Sequence, residues 1–93
     1  MGKQSTFKKV TRNDPRTGDA YIREWCGHIG SVIKAGKRAG LYSTHLHVWL
    51  NDPDRQFSAK CALQVSHAAK VPVEAILYRF TPIKELGMWK FMK

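Results

Sequence analysis

Apolar and polar positions alternate through much of the first two-thirds of the chain. Along residues 42–50 one set reads Tyr42, Thr44, Leu46, Val48 and Leu50, and the interleaved set reads Ser43, His45, His47 and Trp49. Along residues 20–26, Tyr21, Arg23 and Trp25 interleave with Ala20, Ile22 and Cys26. In residues 57–65, Phe57, Ala59, Cys61, Leu63 and Val65 alternate with Ser58, Lys60, Ala62 and Gln64. A period of two marks a half-buried strand, whose successive side chains point to opposite faces. Two turns of shared chemistry lie between such segments, Asn13-Asp14-Pro15-Arg16-Thr17-Gly18 and Asn51-Asp52-Pro53-Asp54-Arg55. Aspartate before proline suits a type I turn, because proline fixes φ and the carboxylate accepts from amides ahead of it. The pattern predicts two β-hairpins, one pairing residues 6–12 with 20–26 and the other pairing 42–50 with 57–65.

Two stretches also carry helical spacing: Ile22, Trp25, Cys26, Ile29, Val32, Ile33 and Gly36 in one, and Phe57, Cys61, Val65 and Ala69 in the other. Gly27 and Gly30 weigh against the first, each being worse than alanine inside a helix by about 1 kcal/mol. Residues 31–35 then read as a further strand, followed by Gly36-Lys37-Arg38-Ala39-Gly40 as a basic loop whose amides can approach a phosphate. Pro72 opens a predicted helix over 73–80, and Thr81 caps a second one to about residue 91, weakened by Gly87. Ile76, Leu77, Phe80, Ile83, Leu86 and Trp89 are expected to cover the inner face of the sheet. The expected fold is α+β, a single domain over residues 1–93. An antiparallel sheet of four or five strands built from β-hairpins spans about residues 5–65, and two short C-terminal helices at about 72–91 pack on one face.

Sixteen Lys and Arg against seven Asp and Glu give a formal net charge of +9 on 93 residues, while 43% hydrophobic content argues for a folded chain. A field of this sign concentrates polyanions or acidic surfaces. No apolar run approaches the ~18–20 residues that span a bilayer, and the first residues lack the apolar stretch of a signal peptide. The expected location is cytoplasmic, without membrane association. Cys26 and Cys61 form no paired motif and read as reduced thiols. No cofactor is expected.

On the expected sheet, Tyr21, Arg23, Trp25, His45, His47, Trp49 and Lys60 project from one side. Exposed rings beside cations are the physical recipe for stacking on unpaired bases. Tyr21, Trp25 and Trp49 would stack, Arg23, Lys34, Lys37, Arg38 and Lys60 would meet phosphates, and His45 and His47 would hydrogen-bond bases or sugars. The expected function is therefore non-catalytic binding of single-stranded DNA or RNA. The alternative is a small regulator or inhibitor that docks on an acidic protein partner.

Other chemistry is less well supplied. His45-Leu46-His47 resembles the His-hydrophobic-His strand motif of the HUH endonucleases. That resemblance implies a divalent metal between the imidazoles and Tyr78 as the nucleophile, although no Lys follows Tyr78 by one turn. Cys26, His28, His45 and His47 are zinc-type donors without the paired spacing of a knuckle. Residues 65–79 have the spacing of a helix-turn-helix with Ser66 and Lys70 where Ala and Gly are usual, but only Glu74 and Arg79 could read bases there. No Ser-His-Asp or paired-carboxylate arrangement is evident.

Overall fold

The computed structural model describes residues 7–42 and 44–86, and these residues fold into helices, with no strand among them. Five α-helices follow in order: α1 Gly18–Ile29, α2 Val32–Arg38, α3 His45–Asn51, α4 Ala59–Ala69 and α5 Val73–Leu77. A 3-10 turn at Ile83–Glu85 comes last. The expected hairpin sheet is thus overturned. Residues 20–26 lie within α1, 31–35 largely within α2, 42–50 largely within α3 and 57–65 largely within α4. The β-type pairing among the described residues is one isolated bridge between Thr17 and Pro82.

Hydroxyl caps explain where α1, α2 and α4 begin. Thr17, Ser31 and Ser58 each accept a hydrogen bond from the amide three residues ahead, on Ala20, Lys34 and Cys61 at 3.1, 3.0 and 3.3 Å. Each side chain satisfies one of the amides that a helix start leaves without a partner. The glycines punctuate rather than forbid. Gly30 closes α1 by donating its amide N–H to the carbonyl of Cys26, and Gly27 is simply an exposed interior position. The expected basic loop at 36–40 is the last turn of α2 and its cap. There Gly40, at φ 79°, donates to Lys37 while Leu41 donates to Gly36, a left-handed closure that glycine adopts without steric penalty.

Once the backbone is helical, the buried residues re-sort to a period of 3.6. They are Tyr21, Ile22, Trp25 and Cys26 on α1, Leu46, Trp49 and Leu50 on α3, and Ala62, Val65, Ser66 and Ala69 on α4. Together with Ala35, Ala75, Ile76 and Ile83 the apolar members form one core drawn from every element. The two proline turns form, but the first leads into α1 and the second joins α3 to α4. Asp14 accepts from the Arg16 amide just ahead of α1, and Asp52 accepts from the Asp54 amide between α3 and α4. At the C-terminal end Pro72 does precede α5, which is shorter than predicted, and the expected second helix is a single 3-10 turn within the described residues. Its remainder, including Gly87 and Trp89, lies outside them. Ile76 and Ile83 are buried as expected, whereas Leu77 and Phe80 face solvent.

Two ionic clamps tie the helices together. The guanidinium of Arg79, buried at the end of α5, donates to the Asp19 carboxylate at 2.7 Å and to the carbonyls of Trp49, Asp52 and Arg55 at 2.8 to 3.2 Å. It also lies 3.7 Å from the centre of the Trp49 ring, so one cation closes the C-terminal end of α3 against α1. Arg16 grips Asp14 at 2.7 Å and Glu24 at 2.8 Å, while the amides of Ile83 and Lys84 bind the carbonyls of Arg16 and Asp14. No helix among the described residues is long and apolar enough to cross a membrane.

Candidate binding surface

The expected aromatic platform does not form. Tyr21, Trp25 and Trp49 are 0%, 4% and 1% exposed, so the three rings meant to stack on bases are sealed in the core. Large rings gain most from burial, provided that a polar edge finds a partner. The Tyr21 hydroxyl donates to the carbonyl of Ala69 at 2.9 Å, and burial pushes its pKa up. Trp49 stacks on Phe57 at 4.9 Å. Arg23 turns back to the fold, bonding Asp19 at 2.9 Å and donating to the carbonyl of Leu50. The surface expected for a single-stranded nucleic acid is thereby removed.

The histidine pair separates as well. On a helix, residues two apart sit about 200° apart around the axis, so His45 and His47 cannot converge on one ion as they would on a strand. His45 packs edge-on against Phe57 at 5.3 Å, and the exposed His47 ring lies 3.2 Å from the amide nitrogen of Asn51. Tyr78 is exposed at the end of α5. Cys26 is inside the core, where burial pushes its thiol up to about 11. Among the described residues no three His, Cys, Asp or Glu side chains gather where they could hold a metal.

Helix α4, the left-handed residue Lys70 and α5 do reproduce the connectivity of a helix-turn-helix. Their chemistry differs from a base-reading motif. Arg79 is consumed by the core clamp, Glu74 is half-buried, and the outward side chains at this end are Leu77, Tyr78 and Phe80.

A different surface emerges from the remaining cations. Lys34, Lys37 and Arg38 are exposed on α2, and Lys60 is exposed on α4. Arg38 borders a depression of about 160 Å³ shared with Lys9, His28 and Lys70. A second depression, of about 510 Å³, is bordered by Tyr42, His45, Lys60 and Gln64. The two meet where α2 ends on α4. Ala68 borders the first and Gln64, one turn earlier, borders the second, while a Cβ on Gly40 would lie 3.0 Å from Gln64 Nε2. Phe57, in contact with His45, continues the strip to a third depression bordered by Arg55, Leu77, Tyr78 and Phe80. None of the seven carboxylates of the chain borders any of the three depressions. Asp14, Asp19 and Glu24 are instead held in the two clamps.

Tyr42, 85% exposed, is the most exposed of the rings this strip displays, the others being Tyr78 and Phe80. Alternation placed it on an inner face, and Lys9, Arg55 and Lys70 carried no sequence signal that set them apart from other surface cations. The one available hint for Tyr42 is its position just after the helix-ending Gly40-Leu41. Comparison with protein families, curated proteins and solved structures found no match, so the functional reading rests on this geometry.

Proposed function

We propose that this chain is a non-catalytic docking protein that lays its cationic strip on an acidic protein partner. The observation that carries this reading is the mixing of exposed apolar side chains with cations along one strip free of carboxylates. Protein interfaces are built that way, with aromatic and aliphatic anchors inside a charged rim. A single strand would engage Lys9, Arg38, Lys60 and Lys70 and could stack on the exposed rings, but it would leave the aliphatic Leu77 idle. Charge complementarity would then speed the encounter, and the anchors would hold it.

Two probes, titrated at low and at physiological salt, test the reading. One is a short Asp- and Glu-rich peptide carrying Leu and Phe, and the other is single-stranded DNA or RNA of similar length. The peptide is expected to bind more tightly than either oligonucleotide, and Lys37→Glu with Lys60→Glu is expected to weaken it about tenfold while the melting temperature holds. Tighter binding of an oligonucleotide would overturn the reading in favour of nucleic acid. Failure of both probes to bind would remove the strip as an interface.

A further inference from the structure

We infer that the depression between Lys9, Arg38 and Lys70 is a site for a phosphate monoester dianion, carried by the docking partner as a phosphorylated serine or threonine. This inference rests on the protein-partner reading above and names the group the partner would insert. Three cations reach the depression from three separate segments: Lys9 from the N-terminal stretch, Arg38 from the last turn of α2 and Lys70 from the end of α4. His28, from the last turn of α1, stacks on Phe7 at 5.2 Å and stands beside them. No carboxylate borders the depression, and the ion pairs of the described residues use Arg16, Arg23 and Arg79 instead. The buried rings of Tyr21 and Trp25 lie beneath the depression, so low-dielectric core underlies the cations and concentrates their field on whatever enters.

The backbone supplies the second observation. Lys70 sits at φ 57° and ψ 51°, and among the described residues it is the one non-glycine residue with positive φ. The ends of α1 and α2 have glycine at their positive-φ positions, Gly30 and Gly40. Glycine would close α4 with less strain, so the ammonium at this position sacrifices stability, as residues held at binding sites do. Cations near helix C-termini also favour the helix dipole, which is the plain alternative for Arg38, His28 and Lys70. The carbonyls at these ends are already engaged, however. Cys26 accepts from Gly30, Ala35 from Ala39, Lys37 from Gly40, Ser66 from Val71, and Ala69 from the Tyr21 hydroxyl. A dianion with three acceptor oxygens brings more charge and more acceptors to a depression bordered by three cations than a single carboxylate does.

Lys70→Gly separates binding from folding. The variant is expected to melt at a higher temperature than the parent chain and yet to bind phosphate less well. The measurement compares an acidic peptide bearing one phosphoserine with the same peptide bearing glutamate there, and inorganic phosphate is titrated separately by amide NMR. The phosphopeptide is expected to bind at least about tenfold more tightly than its glutamate twin. That advantage should vanish in Lys70→Gly and in Arg38→Ala, and phosphate alone should shift the amides near Lys9, Arg38 and Lys70. Equal affinity for the two peptides would overturn the phosphate site and leave the docking reading standing. Phosphate shifts at these amides without binding of either peptide would keep the site and overturn the docking reading.

Discussion

Gly18 occupies a position that admits no side chain: a Cβ there would lie 1.7 Å from the carbonyl oxygen of Ala75. The clash is with backbone, so it cannot be relieved by a rotamer change, and α1 would have to lift from α5. Gly18→Ala is expected to destabilise the fold by roughly 3 kcal/mol or more, read from the shift in urea midpoint. The cysteines give a second residue-scale test. Cys26 is buried with its pKa pushed up to about 11, whereas Cys61 is only partly covered. At neutral pH a thiol reagent is expected to modify Cys61 first and to reach Cys26 only on unfolding, and rapid modification of both in the folded chain would contradict this packing. The sequence reads both cysteines as reduced thiols and does not separate the buried Cys26 from the partly covered Cys61. For Trp25 and Trp49 the sequence left a buried layer and a displayed platform both open, because alternation groups residues by parity and says nothing of what packs above either face; packing chose burial, and took Tyr21 with them.

The misreading of the helices has a specific physical cause. Over the seven residues of α3, buried Leu46, Trp49 and Leu50 fit a helical stripe, while Leu46, Val48 and Leu50 also fit a strand face. A helix of about two turns offers too few positions for one stripe to outweigh the other. Capping chemistry was the more decisive signal, since Thr17, Ser31 and Ser58 stand three residues ahead of the amides they bind. Gly27 was weighted as a helix breaker, yet its Cβ position meets nothing within 4 Å. Gly27→Ala is therefore expected to stabilise the chain by up to about 1 kcal/mol, seen as a higher melting temperature. A lower melting temperature would show that this turn of α1 needs glycine. Pro72 was read correctly as the start of α5, because a missing amide and a fixed φ act locally.

At the scale of the whole molecule, acid sensitivity follows from the clamp at the start of α1. Burial alone would raise the Asp14 pKa, but the hydrogen bonds from the Arg16 side chain and amide outweigh it and hold the pKa below the ordinary value. The unfolded chain then binds a proton more readily than the folded one. The stability that Asp14 contributes is present above about pH 4 and is lost as the pH falls through the lower folded value. A urea midpoint that declines below about pH 4, with a shallower decline in Asp14→Asn, is the expected result. At neutral pH Asp14→Asn should cost about 1–3 kcal/mol, because the partly buried Arg16 loses its closest counter-charge. The same clamps shape the surface. Asp14, Asp19 and Glu24 are held in ion pairs, and Asp14 and Glu24 line a separate depression on the other side of Lys9, so the three depressions of the strip are bordered by no carboxylate. Net charge, the turn chemistry at the two Asn-Asp-Pro segments and the entry into α5 were settled by the sequence, since each depends on composition or on a few adjacent residues. Which rings are sealed, which cations converge and where the carboxylates go were decided only by tertiary packing. Those outcomes depend on contacts between residues far apart in the chain, such as Arg79 with Asp19 and Trp49, and no local period encodes them.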